Sequence, residues 1–397
     1  MLLNGMKIVS FCHFLQGPAG MQYLGDMGAD IVKIEPPQGV FERHWAGADC
    51  ARVGGVSAFY LCANRNARSL AIDLKRPEAK EILFRLIGGS HAVAENFRPG
   101  TLDRLGFGYE AVRAGKPDII YASASGFGSD GPYAGRPGQD LLIQAMSGLM
   151  ASTGGGERLP TPVGCAAVDQ HGGALFALGI LGAYVKWLRT GEGTRVEASL
   201  LGAGIDLQME SLVTYYASKR GRAALDRHEN LGSWFHAAPY GVYAVADGAV
   251  AISISPLDRL SRALDSDRLK ALLNSNTYDD RDAIADAVAT ELASWRFEDL
   301  ARALDKEGVW HGRVDDFDDL VDNPQVRHNQ AFRDAEVNGE TIRLLNHPNR
   351  YDGRLPERSS FALEQGADTR RILSEAGYGD SEISELLRDG VVHASCG

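Results

Sequence analysis

Asp169 stands in the segment PVGCAAVDQHGGALFALGIL, at the head of a strongly apolar run. An ionised carboxylate becomes a useful nucleophile where water is excluded, so this position can support covalent catalysis. Aspartate is also a favoured helix N-cap, accepting hydrogen bonds from the N–H groups of a first turn, and residue type alone does not separate the two roles. Gly172 and Gly173, just downstream, remove side-chain bulk from that turn; this leaves room for a large ligand and weighs toward the chemical role.

Other chemistry-bearing patterns carry less. Gly126, Gly128 and Gly131 form a literal GxGxxG (GFGSDG) behind a predicted strand. Dinucleotide binding needs the last glycine inside an opening helix whose N-terminus holds the pyrophosphate, whereas here PYAGRP (Pro132 to Pro137) follows and reads as a loop. No GxSxG elbow, HExxH helix, GxxxxGK[ST] loop or regularly spaced His/Cys cluster is present, which excludes the commonest hydrolase, zinc-protease and nucleoside-triphosphatase chemistries. The histidines are dispersed, and His171, His236 and His311 read as packed or surface residues.

The elements that must position Asp169 alternate in kind. KIVSF (Lys7 to Phe11), DIVKIE (Asp30 to Glu35), SLAIDL (Ser69 to Leu74), HAVAENF (His91 to Phe97), DIIYASASGF (Asp118 to Phe127) and TRVEASL (Thr194 to Leu200) read as strands, separated by helical stretches such as PEAKEILFRLI behind Pro77. Strands alternating with helices imply an α/β domain with a mainly parallel sheet covered on both faces. From about Asn230 the texture changes to two apolar runs flanking Asp247-Gly248, a hairpin signal, and then three helical segments. The expected division is a large domain over residues 1–200, a linker helix over 201–224, a small α+β domain over 225–330, and a return of 331–397 to the large domain.

Composition sets outer bounds. The 397 residues carry a formal charge of −11, a field that repels polyanions and argues against nucleic-acid or anionic-membrane surfaces. With 44% hydrophobic and 23% charged residues the chain is expected to be a folded, soluble protein. Cys12, Cys50, Cys62, Cys165 and Cys396 form neither a disulfide framework nor a zinc site and fit a reducing compartment. No signal-peptide pattern opens the sequence, and the apolar run Gly172 to Val185 falls short of the roughly 20 residues that span a bilayer, so a cytoplasmic protein without a membrane segment is expected.

Several stretches together resemble the class III coenzyme A transferases, the group of formyl-CoA and carnitine-type CoA transferases and the related acyl-CoA racemases. They are Gly17-Pro18, GADIVKIEPP (Gly28 to Pro37), NRNARSLAIDLKRPEA (Asn64 to Ala79), ENFRPGTLDRLGFGYE (Glu95 to Glu110), SGFGSDGPYAGRPGQD (Ser125 to Asp140), the Asp169 segment and TGEGTRVEASLL (Thr190 to Leu201). The resemblance implies a Rossmann-like large domain, a smaller domain, and a homodimer of two interlocked subunits. It assigns the catalytic carboxylate to Asp169, which would attack an acyl-CoA to give an aspartyl-acyl anhydride and then an aspartyl-CoA thioester, with no metal or redox cofactor. The family's CoA-contacting positions map onto Leu74, Lys75, Asn96, Phe97, Arg98 and Arg104.

Three departures bear on substrate. Ala67 stands where a basic residue is common, Gln139 where an aromatic precedes the aspartate, and Ser253 to Pro256 (SISP) has no glycine-rich lid. The function expected is transfer of CoA between carboxylic acids, dicarboxylic ones included, or intramolecular transfer within a diacid such as mesaconate. The alternatives are an α-methylacyl-CoA racemase and a non-enzymatic CoA-binding protein. The racemase needs a titratable histidine at the second position of Gly138-Gln139-Asp140, and glutamine exchanges no protons.

Overall fold

The computed structural model describes residues 1–47, 50–154, 159–357 and 359–395. Cys396, singled out in the sequence, lies outside the described residues. The chain forms two compact units: Met1–Ile143, Cys165–Leu207 and Arg327–Gly397 make the larger, and Gln144–Gly164 with Gln208–Val326 the smaller. Against the expected boundaries, residues 144–164 join the smaller unit, and the segment read as a linker holds two helices, Leu200–Asp206 and Met209–Ser218, one in each unit.

The larger unit is an α/β structure around a seven-stranded mixed sheet. Its strands run in the order Val392–His393, Ala67–Ile72, Asp30–Glu35, Lys7–Ser10, Ala92–Glu95, Ile120–Ser125, Thr194–Ser199. All neighbours are parallel except the two-residue edge strand, which pairs antiparallel with Ala67–Ile72. Strand periodicity sorts the apolar residues by face. Val9, Val32, Val93 and Tyr121 join one core with Ile82 and Leu83 of helix Pro77–Gly88. Ile8, Ile31, Ala92 and Ala122 join another with Leu24 of helix Gln16–Asp26 and Phe176 and Ile180 of helix Ala167–Thr190.

The arginines of two buried ion pairs also hold residues 327–397 in this unit. Arg65 forks onto Asp26 (2.8 and 2.5 Å) and gives its remaining nitrogen to the carbonyl of Leu345. Arg43 forks onto Glu35 (2.6 and 2.7 Å) and donates to the carbonyl of Leu363. Such pairs are costly to break, because removing one partner leaves the other charged and dry.

In the smaller unit, Gly241–Val245, Gly248–Ile252 and His311–Arg313 form an antiparallel sheet, with the hairpin turning between Val245 and its partner Gly248 as Asp247-Gly248 predicted. Elsewhere in the chain, two helical stretches are divided by glycines. Gly106, at φ +86°, separates Thr101–Leu105 from Tyr109–Gly115, and Gly148, at φ +88°, lies between Asp140–Met146 and Leu149–Gly154. A left-handed glycine ends an α-helix, a stop that periodicity alone does not register.

Helices Gln16–Asp26 and Ala167–Thr190 cross at glycines. A Cβ on Gly20 would sit 2.8 Å from the carbonyl oxygen of Gly173, and one on Gly173 would sit 2.8 Å from that of Gln16. Gly173→Ala is therefore expected to lower the unfolding free energy by about 1–3 kcal/mol, the usual range for overpacking. Urea denaturation checks this, and an unchanged midpoint would show that the crossing can open without loss.

Candidate active site

The helix Ala167–Thr190, hereafter the site helix, begins without a local cap. Its N-cap residue is Ala166, which has no side-chain acceptor, and Asp169 falls at the third helical position. The capping role considered for Asp169 belongs to another residue. Oδ1 of Asp140 accepts the backbone N–H groups of both Val168 (2.8 Å) and Asp169 (3.0 Å). Asp140 is 8% exposed and opens the helix Asp140–Met146 at the end of the GFGSDG loop.

That loop is folded to deliver Asp140. Gly126 and Gly138 cross so closely that a Cβ on Gly126 would lie 2.5 Å from the Cα of Gly138. The N–H of Gly128 is held by Ser125 Oγ at 2.9 Å, and no helix follows Gly131 until Asp140. The backbone thus lacks the glycine-rich turn into a helix that a dinucleotide requires. Glu35, ending the second strand where such folds keep a ribose-binding acid, is consumed by Arg43 and Ser69.

Asp169 is half-buried, and among the described residues its side chain makes no hydrogen bond. Burial, reinforced by the like charge of Asp140, pushes its carboxyl up to about 7. A carboxylate without hydrogen-bond donors is poorly solvated and correspondingly reactive toward an acyl carbon.

Gly172 and Gly173 do not open space for a ligand, contrary to the sequence reading. Both are buried, and the room they leave is filled from the neighbouring helix: a Cβ on Gly172 would meet Gln16 Nε2 at 2.9 Å. The absence of a side chain sets how closely something can approach, while only the fold decides what approaches. Gln16 is 4% exposed, and its Nε2 has no hydrogen-bond partner. It packs one turn from Asp169, since positions three apart share a helix face. Sequence reasoning missed both Gln16 and Asp140. Asp140 offered one signal, a capping-type residue ending the segment SGFGSDGPYAGRPGQD, but its partners lie 28 and 29 residues away.

The positions mapped for CoA lie in loops at the carboxyl ends of strands. Leu74 and Lys75 follow Ala67–Ile72, with Lys75 exposed; Asn96, Phe97 and Arg98 follow Ala92–Glu95. Neighbouring strands Lys7–Ser10 and Ala92–Glu95 send their helices to opposite faces, the place where open α/β sheets bind ligands. Asn96 straddles this point, accepting from the N–H of His13 (2.9 Å) and donating to its carbonyl (2.8 Å). The Phe97 ring packs 4.6 Å from that of His13, while Arg104, exposed, reaches Thr101 Oγ1 at 3.2 Å. A Cβ on Gly17 would lie 3.1 Å from Asn96 Cγ, so a continuous set of contacts runs from Asn96 through Gly17 and Gln16 to the site helix. Phe97 and Arg98 also line a cavity of about 120 Å³ with Tyr109, Arg195 and Glu95. Burial pushes Glu95 up to about 7.

The three histidines singled out in the sequence have local partners: His171 contacts Asp206 (2.8 Å), His236 contacts Ser233 (2.6 Å), and His311 contacts the Val309 carbonyl (2.9 Å). Among the described residues no group of three His, Cys, Asp or Glu side chains could hold a metal ion, and no helix is long and apolar enough to cross a membrane.

Comparison with known proteins places these features in a family context. The profile of CoA-transferase family III matches residues 3–369. The chain is 30% identical to the succinate–glutarate CoA-transferase of Agrobacterium fabrum over 86% of each chain. It is 28% identical to the human succinyl-CoA:glutarate CoA-transferase over 98% of this chain and 90% of that one. A crystal structure of a CAIB/BAIF family protein from Brucella suis superposes with a TM-score of 0.81 at 30% identity, covering 94% of this chain and 99% of the other.

The raised carboxyl of Asp169 has a consequence for stability. Between about pH 4 and pH 7 the unfolded chain has released this proton and the folded chain has not, so folding loses stability as pH rises through that window. Asp169→Asn removes the penalty. At pH 8 it is expected to exceed the native chain by on the order of 2 kcal/mol, discounted for partial exposure. At pH 4 the advantage should vanish, and an equal difference in urea midpoints at both pH values would contradict a raised carboxyl.

Proposed function

The chain belongs to CoA-transferase family III and is a CoA-transferase, and from that premise we propose that it moves coenzyme A between dicarboxylic acids with Asp169 as nucleophile. One observation carries the mechanism: Asp169 stands on the first turn of the site helix, half-buried and, among the described residues, without a hydrogen bond to its carboxylate. The named relatives act on succinate and glutarate, which supports a diacid pair as donor and acceptor.

The steps balance as group exchanges. A carboxylate oxygen of Asp169 attacks the thioester carbonyl; the C–O bond forms, the C–S bond breaks, and the electron pair leaves on the CoA thiolate. The thiolate then attacks the aspartyl carbon of the anhydride, releasing the donor acid and leaving an aspartyl-CoA thioester. The acceptor carboxylate attacks that carbon and expels the thiolate, which takes the new acyl group and restores Asp169. Each step conserves an activated acyl bond, so no metal or redox group is required.

Leu74, Lys75, Asn96, Phe97, Arg98 and Arg104 are read as the CoA contacts. Lys75, Arg98 and Arg104 are exposed cations suited to phosphates, while Leu74 and Phe97 give apolar faces to the adenine. Asn96 holds the His13 backbone and keeps a second N–H and further lone pairs for a ligand. The strand order supports the Rossmann-like description, with the first strand central and the chain winding outward on both sides. An interlocked homodimer is supported by the site helix, which buries Phe176, Ala177 and Ile180 on one side while Leu178, Val185 and Leu188 are exposed. The cytoplasm remains the proposed location.

Asp169→Ala should abolish transfer, scored by mass spectrometry of thioesters formed from succinyl-CoA with a panel of carboxylic acids. Substantial turnover by that variant would overturn the mechanism. With native protein, hydroxylamine during turnover should convert Asp169 to a hydroxamate visible in its peptide mass. Lys75→Ala or Arg104→Ala should raise KM for the acyl-CoA about tenfold with a smaller change in kcat, because contacts remote from the thioester bind ground and transition states alike. An unchanged KM in both would remove these residues from the CoA site.

A further inference from the structure

We propose that Asp140 is a positioning residue that also sets the charge at the site, one of its oxygens fixing the first turn of the site helix while its negative charge drives Asp169 toward its acylated states. The inference rests on the reading of Asp169 as the nucleophile.

Unclaimed N–H groups at the start of a helix are a natural anion site, and the helix dipole adds to their pull. Left open, the N–H groups of Val168 and Asp169 would be available to stabilise a carboxylate on that turn. Asp140 takes both on a single oxygen, at 2.8 and 3.0 Å. The bonds that anchor the backbone of Asp169 therefore also keep these donors from its side chain.

Charge supplies the second half. A serine or asparagine would cap the turn as well as an aspartate does, without a second negative charge beside Asp169. Asp140 is nearly enclosed and lies beside Asp169, its Oδ1 3.0 Å from the Asp169 backbone nitrogen, so the two carboxylates share one small region of the site. The repulsion exists only while Asp169 is ionised. When Asp169 attacks the thioester, its charge leaves with the thiolate and the anhydride is neutral, as is the aspartyl-CoA thioester that follows. Each acylated state is thus relieved of a repulsion that the free carboxylate bears, and the covalent intermediate gains population relative to resting enzyme. From the other elements against this end of the site helix, the first helix contributes the neutral Gln16 and Leu200–Asp206 contributes Asp206, which is paired with His171. Among the described residues, Asp140 is the one charged group registering on Asp169.

Asp140→Asn and Asp140→Ala separate the two roles, because the carboxamide keeps the acceptor oxygen without the charge and alanine removes both. Two quantities are measured with succinyl-CoA: kcat/KM between pH 4.5 and 9, and the fraction of protein carrying a covalent adduct on Asp169 by mass spectrometry. For Asp140→Asn the acid limb is expected to move down by about half to one pH unit, with adduct occupancy falling several-fold. Asp140→Ala should lose at least a further tenfold in kcat/KM through the freed turn. A native acid limb and native occupancy in Asp140→Asn would overturn the proposal, as would full activity in Asp140→Ala. Should the asparagine variant not fold, Asp140→Ser, a shorter uncharged acceptor, reads the same limb. Absence of any adduct on Asp169 in the native protein would instead remove the nucleophile reading, and this proposal with it.

Discussion

Two helices of this protein come together where neither carries a side chain, and the arrangement of the site follows from that contact. Gly20 and Gly173 bring the backbones of Gln16–Asp26 and the site helix within reach of each other, and Gly172 meets the side chain of Gln16. The first of these helices leaves the central strand of the sheet, so its position is set by the sheet itself. The site helix inherits that position through the crossing. Asp169 is consequently referenced to the strand ends that carry Asn96 and Phe97, through backbone contacts that tolerate little adjustment.

Much of the architecture could be read in the residues. Lys7 to Phe11 and Asp30 to Glu35 each place apolar residues on both faces of the sheet, Val9 and Val32 on one and Ile8 and Ile31 on the other, and these short β-branched runs read as strands. Pro77 marks a helix start because a first-turn N–H needs no partner, and the structure places it there. Splits such as that at Gly106 were less legible, since a glycine inside a helical pattern reports its freedom and not the conformation it adopts. The edge strand Val392–His393 is two residues long and carries no pattern of its own.

The candidate site was legible where chemistry resides in one residue and illegible where it depends on two. Asp169 stood out as a lone acid before an apolar helix. That its backbone is capped by Asp140, and that Gly172 faces the unpartnered amide of Gln16, are statements about pairs far apart in the chain. Residue type suggested Asp169 as the cap of that turn, whereas a distant acid caps it, which propensity alone could not say. The same limit applies to Asn96, whose type fits a ligand contact and whose carboxamide also holds His13 in place.

The antiparallel strand at the sheet's edge has a consequence for how the protein is made. Ala67–Ile72 is translated early, yet its outer neighbour is residues 392–393. While the ribosome makes everything between, the nascent chain presents a strand with one row of N–H and C=O groups unpaired, a template for pairing with other chains. The buried forks of Arg65 and Arg43 likewise wait for the carbonyls of Leu345 and Leu363. Protection of that edge during synthesis thus falls to factors outside the chain or to the speed of its completion.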